Sequence, residues 1–327
     1  MAVKDRVLKE LEYNRGEYIS GEELASSLGV SRNSVWKAVK NLQEQGYEIL
    51  GVPNKGYLLN ESSNLVSAQG IEKYLGPLES VFDIEVYDKV SSTNDLLKDS
   101  KGMEGRVIVA QEQTNGKGRL GRDFYSPKAT GIYFSILLTP TIPVDEATSV
   151  TAAAAVAVAE AIENLTDCDI QIKWVNDIYM NEKKVCGILT EGVFDMENRR
   201  LGQVILGIGI NLIEPYVGFP SDLKISAGSV FKEGTAPKDS RNLIVAEVLL
   251  HFWPYYKRLQ AKGFLSGYRR RSIVTGRDIL IIRGEEAPRK AKALEIDENF
   301  YLVVKNEDGE IEHLSSGEVS VRAIEKE

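Results

Sequence analysis

Apolar residues within the first 60 positions recur at the spacing of three short helices. Ser20 and Glu23 form a capping-box pattern at the start of the second helix, where side chains bond the free backbone amides. Gly29 ends that helix, and Ser31 is the expected N-cap of the third. Two helices separated by so short a turn predict a helix-turn-helix.

The third predicted helix is followed by two alternating segments, residues 47–50 and 56–59, around a turn at residues 53–55. This pattern indicates a β-hairpin, so we interpret the unit as a winged helix-turn-helix with Lys55 at the tip of the wing. Polar and basic side chains here can bond phosphates or base edges. The candidate DNA-binding residues are Ser31, Arg32, Asn33, Ser34, Lys37 and Lys55. Trp36 is expected to pack in the core rather than contact a base, and a helical domain that contacts protein remains the alternative.

A polar segment at residues 60–68 separates this first domain, residues 1–62, from a longer central one. Over residues 69–268, apolar strand-like runs alternate with helices near residues 93–100 and 145–164, which predicts an α+β fold with a mixed sheet. The second of these helices is rich in alanine and can approach a sheet closely. Residues 270–327 contain five short strands and are predicted to form a small SH3-like β-barrel.

Composition narrows the class of protein. The chain has 327 residues, 43% hydrophobic and 27% charged, as in ordinary soluble globular proteins. It shows neither an apolar run long enough to span a membrane nor a signal peptide. Two cysteines and two histidines argue against disulfides and a structural zinc site, so we expect a cytoplasmic protein without a metal site of its own. The net charge of −8 lies beyond residue 60, and the neutral first segment is compatible with local DNA contact.

The segment Gly116-Lys-Gly-Arg-Leu-Gly-Arg122 combines three glycines with three cations. Open backbone amides and positive charge suit an anionic ligand, above all a phosphate. The glycines also match G-x-G-x-x-G, but a dinucleotide-binding turn requires a helix directly after it, and Pro127 lies in the segment that follows. A Walker A loop is excluded because the required Gly-Lys-Ser/Thr does not occur there. On composition alone, a solvated flexible loop remains the alternative.

Further segments place polar side chains next to strands. Ser91-Ser-Thr-Asn94 lies at a strand–helix junction, where such residues either cap the helix or bond a polar ligand. Lys173-Trp-Val-Asn-Asp177 and the following Lys184 place cations, an amide and a carboxylate around a turn. Gly207-Ile-Gly-Ile-Asn211 is a strand whose glycines permit close approach of other groups. Each segment taken alone is weak evidence.

Taken together and in this order, these segments resemble the family of bifunctional biotin–protein ligases and biotin-operon repressors. The matching patterns are Ser91-Ser-Thr-Asn94, Gln113 before the glycine-rich loop, Lys173-Trp-x-Asn-Asp177, Lys184-x-x-Gly-Ile-Leu and Gly207-x-Gly-x-Asn211. The resemblance covers almost the whole chain. The chain departs from the family at Val175, where proline is usual, and at Lys117, where the loop often has arginine. Lysine keeps the charge there but loses the two parallel donors of a guanidinium.

The resemblance implies an ATP-dependent biotin–protein ligase that forms AMP and pyrophosphate. Biotin and Mg²⁺-ATP would give biotinyl-5′-AMP as a tightly held intermediate. The biotinyl group would then pass to a lysine of a biotin carboxyl carrier protein domain. Biotinyl-AMP would also serve as co-repressor, because adenylate-bound chains would form a homodimer on operator DNA and repress genes of biotin synthesis or transport.

The resemblance also assigns roles to residues. The implied catalytic residues are Lys184, Arg119 and Arg122. The implied biotin-binding residues are Ser92, Thr93, Asn94, Gln113, Gly116, Lys117, Gly118, Arg119, Lys184 and Gly187. The implied nucleotide-binding residues are Arg119, Arg122, Phe124, Asn176, Asp177 and Asn211. Lys184 would hold the biotin carboxylate, and closure of the glycine-rich loop would keep water from the adenylate.

Two other functions stay open at this point. A lipoate or octanoate ligase shares the architecture and also forms acyl-adenylates, although the DNA-binding unit and the Lys173-Trp-x-Asn-Asp177 pattern argue against it. A transcription factor whose central domain only senses a metabolite is the non-enzymatic alternative. Pyrophosphate exchange with biotin or with lipoate separates all three functions.

Overall fold

The structure is a computed structural model that describes residues 2–98, 103–143, 146–195, 200–283, 286–315 and 319–323. The chain forms two compact units. Unit 1 comprises Met1–Val86 together with Thr235–Glu247, and unit 2 comprises Tyr87–Gly234 together with Val248–Glu327.

Unit 1 contains the predicted winged helix-turn-helix. Its elements are α1 (Val3–Tyr13), α2 (Gly21–Leu28), α3 (Arg32–Glu44), β1 (Ile49–Val52), β2 (Gly56–Leu59) and α4 (Ala68–Leu75). The capping box of Ser20 and Glu23 is formed, and the Ser31 side chain accepts a bond from the Ser34 amide. Gly29 adopts the left-handed conformation at the turn, with φ of 63°. Local capping and turn chemistry therefore place these helices as the sequence predicts.

The wing is a tight hairpin in which β1 and β2 pair antiparallel, with Val52 opposite Gly56. Asn54 takes a positive φ of 63°, which asparagine tolerates better than most residues. At Gly56 a Cβ would lie 2.1 Å from the carbonyl oxygen of Ile19, so only glycine fits. Ile19 and Tyr57 exchange two backbone hydrogen bonds of 2.9 Å, which join the wing to the segment before α2.

Trp36 does not lie where the sequence analysis placed it. Its side chain is 50% exposed, so the prediction that it packs in the core is wrong. The side chains of α3 that face the core, and that contact α1 and α2, are smaller than tryptophan. These buried residues are Val35, Ala38, Val39 and Leu42.

A buried cluster of four charged side chains joins three segments of unit 1. Glu12 lies in the last turn of α1 and Arg15 just beyond its end, Lys73 lies on α4, and Asp239 precedes α7 (Ser240–Tyr256). Arg15 lies 2.7 Å from Glu12 and 3.2 Å from Asp239, and Lys73 lies 3.0 Å and 2.6 Å from the same two carboxylates. All four side chains are at most 10% exposed. Each charge is thus balanced by two opposite ones.

Asp239→Asn is expected to lower the free energy of unfolding by about 2 kcal/mol, because two buried cations would then share one carboxylate. Asparagine is the suitable replacement, since residue 239 has a positive φ of 58°. Thermal unfolding measures the effect. The neighbouring Lys238→Ala is the control: Lys238 pairs with Glu61, both side chains are more than half exposed, and the change should be small. Equal losses in the two variants would contradict a special role for the buried cluster.

Unit 2 is built around an antiparallel sheet. After β3 (Asp83–Tyr87), which runs from unit 1 into unit 2, its elements are α5 (Thr93–Lys98), β4 (Arg106–Ala110), β5 (Gly131–Leu138), α6 (Thr148–Leu165), β6 (Gln171–Lys173), β7 (Asp177–Met180), β8 (Lys183–Asp195) and β9 (Arg200–Asn211). Within unit 2 the strand order is β4-β5-β9-β8-β7-β6, and the pairs are antiparallel. The alanine-rich helix α6 is buried against β6, β7 and β8, which confirms its predicted packing role.

The C-terminal strands form a five-stranded antiparallel sheet. They are β10 (Asp278–Arg283), β11 (Arg289–Ile296), β12 (Leu302–Asn306), β13 (Ile311–Leu314) and β14 (Val319–Ala323). Their order is β13-β12-β11-β10-β14, so β13 and β14 are the outer strands and the expected barrel is not closed within the described residues. The last of the five predicted strands, residues 318–322, began at Glu318, which lies outside the described residues.

This sheet and the preceding helix α8 (Leu265–Arg271) support the turn between β6 and β7. The indole of Trp174 donates to the carbonyl of Phe300 at 2.9 Å, and the buried hydroxyl of Tyr268 donates to the carbonyl of Val175 at 3.0 Å. The Trp174–Val175 peptide bond is cis. Two hydrogen bonds therefore fix the backbone directly before Asn176 and Asp177.

No helix among the described residues is both long and apolar enough to cross a membrane.

Candidate functional site

A cleft opens in unit 2 beside the sheet, at the start of α5 and under the glycine-rich loop. It brings together residues up to 117 positions apart in the chain, from Ser92 to Gly209. Its lining includes the predicted residues Ser92, Thr93, Asn94, Gln113, Lys117, Gly118, Arg119, Phe124, Asn176, Lys184 and Gly187.

One end of the cleft is neutral and hydrogen-bonded. The Gln113 carboxamide oxygen accepts from the Thr93 amide at 2.9 Å and from its hydroxyl at 3.1 Å, and its nitrogen donates to Ser126 at 3.0 Å. Gly116 lies close to the backbone of Phe124: a Cβ at this position would lie 2.4 Å from the carbonyl oxygen of Phe124. These bonds hold the two ends of the glycine-rich loop to the start of α5.

Asn94 is held from two sides at this end. Its amide nitrogen donates to Glu191 on β8 at 2.6 Å, and its oxygen lies 2.6 Å from the hydroxyl of Ser135 on β5. A Cβ at Gly207 would come within 2.2 Å of that oxygen, so glycine is required there. With both polar atoms engaged, the Asn94 side chain is fixed, and one acceptor position of its oxygen remains for a ligand.

The other end of the cleft is cationic. The ammonium of Lys184 lies 2.7 Å from the carboxylate of Asp177, and the Arg119 guanidinium donates to the Asn176 side chain at 3.2 Å. Burial lowers the pKa of Arg119, because the charged guanidinium is only partly solvated. A hydrogen bond to Asp95 raises the pKa of Lys117. Such an arrangement stabilises an anionic ligand.

Lys184 reaches the cleft through an irregular hairpin. Strands β7 and β8 are joined by Asn181 and Glu182, both with positive φ, as in a two-residue type I′ turn. Tyr179 then pairs with Lys184 while Ile178 pairs with Cys186, so Val185 is an extra residue in β8. A bulge of this kind re-aims the side chains beside it.

A second cavity lies next to the cleft and is more apolar. Lys184 and Phe124 line both spaces, so these two residues stand at the border between them. Other residues lining the second cavity are Asp123, Tyr125, Asn211, Phe219, Leu223, Ser226 and Ala227. Two ligands could therefore lie side by side with a lysine at their junction.

Two glycines make room for the ring of Phe124. A Cβ at Gly209 would lie 2.5 Å from the ring, and one at Gly187 would lie 3.0 Å from it. Gly187 and Gly209 are directly paired across β8 and β9. The sequence analysis expected close approach at the glycines of β9, and the groups that approach are the side chains of Phe124 and Asn94.

The structure places other candidates less centrally. Arg122 is exposed and lines neither space, whereas Asp177 meets the site through its ion pair with Lys184. Cys186 on β8 is fully buried, and burial raises the pKa of its thiol far above the usual value, so it is unsuited to act as a nucleophile.

Sequence reasoning missed several residues of the site: Ser126, Ser135, Glu191, Phe219 and Leu223. Ser135 could have been found, as the one small hydroxyl side chain in the apolar strand β5.

The DNA-binding candidates lie in unit 1. Arg32, Asn33 and Lys37 are exposed on α3, whereas Ser31 and Ser34 bond each other at the start of that helix. Lys55 lies in the turn of the wing, as predicted, with its ammonium 5.7 Å from the centre of the Tyr18 ring. The exposed polar face of α3 is thus available to a large ligand.

Two segments of the chain match known protein families. Residues 86–211 match the model of the biotin/lipoate A/B protein ligase family, and residues 4–58 match a helix-turn-helix domain. The bifunctional ligase/repressor BirA of Bacillus subtilis is 36% identical over 251 residues, which cover 76% of this chain and 76% of that protein. The protein of the same name from Escherichia coli is 28% identical over 316 residues, 95% of each chain.

Solved structures of a biotin protein ligase also resemble this chain. The biotin protein ligase from Aquifex aeolicus in complex with biotin and ATP has a TM-score of 0.62 and 29% identity, covering 74% of this chain and 99% of that one. The apo structure of the Aquifex enzyme has a TM-score of 0.60 and 26% identity.

Proposed function

The chain belongs to the family of bifunctional ligase/repressors named BirA, and we propose that the cleft of unit 2 binds biotin while the neighbouring cavity binds the nucleotide. The protein is a biotin–protein ligase that uses biotin and ATP, and a DNA-binding repressor. The observation that carries the site assignment is the position of Lys184 at the border of the two spaces.

Biotin is a neutral bicyclic ureido group with a carboxylate at the end of an apolar chain. We assign the ureido group to the neutral end of the cleft, where Ser92, Thr93 and Gln113 offer hydrogen bonds. Asn94 contributes its remaining acceptor position. The carboxylate then points to Lys184 and Arg119, at the cationic end. Gly116, Lys117, Gly118 and Gly187 complete the wall through backbone and loop contacts.

The nucleotide is assigned to the second cavity, with its α-phosphate toward Lys184. Phe124 and Asn211 line that cavity, and its apolar walls suit a planar base. Asn176 and Asp177 act from the border, where they bond Arg119 and Lys184. Arg122 is exposed, so its contact with phosphate requires movement of the glycine-rich loop. Mg²⁺ would be bound by the phosphates of ATP and would offset part of their negative charge.

The first step joins two anions. A biotin carboxylate oxygen attacks the α-phosphorus, the bond from phosphorus to the bridging oxygen of the β-phosphate breaks, and pyrophosphate leaves. Lys184 and Arg119 offset the charge that gathers at phosphorus, in a cleft where a cation acts more strongly than in water. In the second step a lysine amine of the carrier protein attacks the acyl carbon, loses a proton and expels AMP.

The test of the ligase assignment is the mass of a biotin carboxyl carrier domain after incubation with the full chain, biotin and Mg²⁺-ATP. We expect one biotinyl group on its acceptor lysine, and none without ATP or with lipoate in place of biotin. Transfer of lipoate alone would assign the site to the other acyl-adenylate reaction. An unmodified carrier and no pyrophosphate exchange would leave only a sensor function.

For the repressor we propose that the adenylate-bound chain forms a homodimer and places two α3 helices on a two-fold operator. Ordering of the glycine-rich loop by the adenylate would couple the cleft to the dimer surface, and such coupling must be reciprocal. We place the protein in the cytoplasm, where ATP and operator DNA occur. The proposed domains are residues 1–62 for DNA binding, 69–268 for catalysis and 270–327 for the C-terminal sheet.

Gel-shift titration tests this coupling. We expect tighter binding of the operator with biotin plus ATP than with either alone, together with dimers in analytical ultracentrifugation. Equal affinity under all conditions would show that the adenylate is not the co-repressor.

A further inference from the structure

Trp36 lies on the solvent side of α3, in a groove between this helix and the wing. The groove is lined by Arg32, Asn33, Trp36 and Lys40 from α3 and by Pro53 and Asn54 from the wing turn. Trp36 is 50% exposed, although tryptophan is a residue type that folding usually buries. The core beneath α3 is complete without it, because Val35, Ala38, Val39 and Leu42 cover that face.

The surroundings of Trp36 fit a polyanionic partner. Arg32 and Lys40 lie one helical turn before and after Trp36 on the same face, and both are exposed. Lys37 is exposed beside it, and Glu22 is the acidic residue among those that line the groove. An aromatic surface between cations is suited to DNA, where phosphates flank the apolar edges of the bases.

We propose that Trp36 is a specificity-determining residue that contacts the C5-methyl group of a thymine in the operator. The inference rests on the DNA-binding function assigned above and adds a second kind of contact to it. Arg32, Lys37 and Lys40 supply charge, which any duplex attracts and which salt weakens. The Trp36 contact is apolar, so it depends on sequence and adds little to the salt dependence.

The experiment uses the full chain with biotin and Mg²⁺-ATP, and a duplex that this protein selects from a random library. Fluorescence anisotropy gives the affinity for that duplex and for copies in which single thymines are replaced by deoxyuridine, which lacks only the methyl group. We expect Trp36→Ala to weaken binding of the selected duplex about tenfold, with an unchanged salt slope. One deoxyuridine position should weaken the wild-type complex but leave the Trp36→Ala complex unchanged.

Three controls test whether the loss of DNA binding is specific to the aromatic ring of Trp36. Trp36→Phe keeps an apolar ring and should recover most of the affinity. Tyr13→Ala removes an exposed aromatic residue from α1 of the same unit and should not change DNA binding. The ligase activity of each variant should equal that of the wild type, because the ligase site lies in unit 2.

Wild-type affinity in Trp36→Ala, or deoxyuridine effects that persist fully in this variant, would overturn the thymine contact while leaving the repressor function intact. A smaller salt slope in Trp36→Ala would also overturn it, because the residue would then act by holding the cations in place. If the wild-type chain selects no duplex, the DNA-binding function itself fails, and Trp36 would belong to a surface for protein.

Discussion

Lys184→Ala is expected to lower the rate of biotinyl-AMP formation about 100-fold. The residue lines both cavities, so it lies where a carboxylate in one would meet the phosphates of a nucleotide in the other. Without this cation the two anions approach each other in a cleft that solvates them poorly, and the barrier rises. Biotin-dependent exchange of labelled pyrophosphate into ATP measures this step without the carrier protein.

Lys183→Ala is the matched control for this variant. Lys183 has the same charge and is the preceding residue of β8, but it is exposed and its side chain lies against Gly228. We expect nearly normal exchange in this control and partial exchange in Lys184→Arg, which keeps the charge. Nearly normal exchange in Lys184→Ala would remove Lys184 from the catalytic step.

Arg119→Gly is expected to release biotinyl-AMP about 100-fold faster than the wild type. Burial lowers the pKa of Arg119 because water solvates the charged guanidinium poorly there. Binding of an anion beside this group is therefore favourable. Its hydrogen bond to Asn176 ties the glycine-rich loop to the turn before β7. In the proposed site, loss of the side chain would remove both the charge that holds the adenylate and the hydrogen bond that links the loop to this turn. Rapid-quench chromatography of free and bound adenylate measures the release.

Two further variants serve as controls. One tests whether the charge of residue 119 is enough without the guanidinium, and the other tests whether loss of a different cation has the same effect. Arg119→Lys keeps the charge but not the planar guanidinium, and intermediate release is expected. Lys128→Ala removes an exposed cation that pairs with Asp88, close to the loop in sequence, and it should not change retention of the adenylate. Equal retention in Arg119→Gly and the wild type would show that the loop does not hold the adenylate.

Most of the local structure could be predicted from the sequence because its causes are local. The capping box at Ser20 and the left-handed turn at Gly29 each depend on residues within a few positions. Trp36 was mistaken for a core residue because its type favours burial. Whether a helix face is covered depends on neighbours that lie elsewhere in the chain.

The candidate site was predictable in its motifs but not in its arrangement. The glycine-rich loop and Lys184 carry enough chemistry to be found along the chain. Ser135 and Glu191 hold Asn94 from strands β5 and β8, about 41 and 97 positions away, and no spacing rule connects them. The second cavity needs Phe219 and Leu223 from a segment without a recognisable pattern.

The sequence by itself determined the helices, the wing, the C-terminal strands and the family, since periodicity, capping and motifs act over short stretches of chain. Only the tertiary structure decided that Lys184 stands between two cavities, that Asn94 is locked from both sides, and that Trp36 faces solvent. The reason is the register of paired strands: the bulge at Val185 and the pairing of Gly187 with Gly209 fix which side chains meet. Register is set by the burial of whole faces of the sheet, and that is a property of the folded chain.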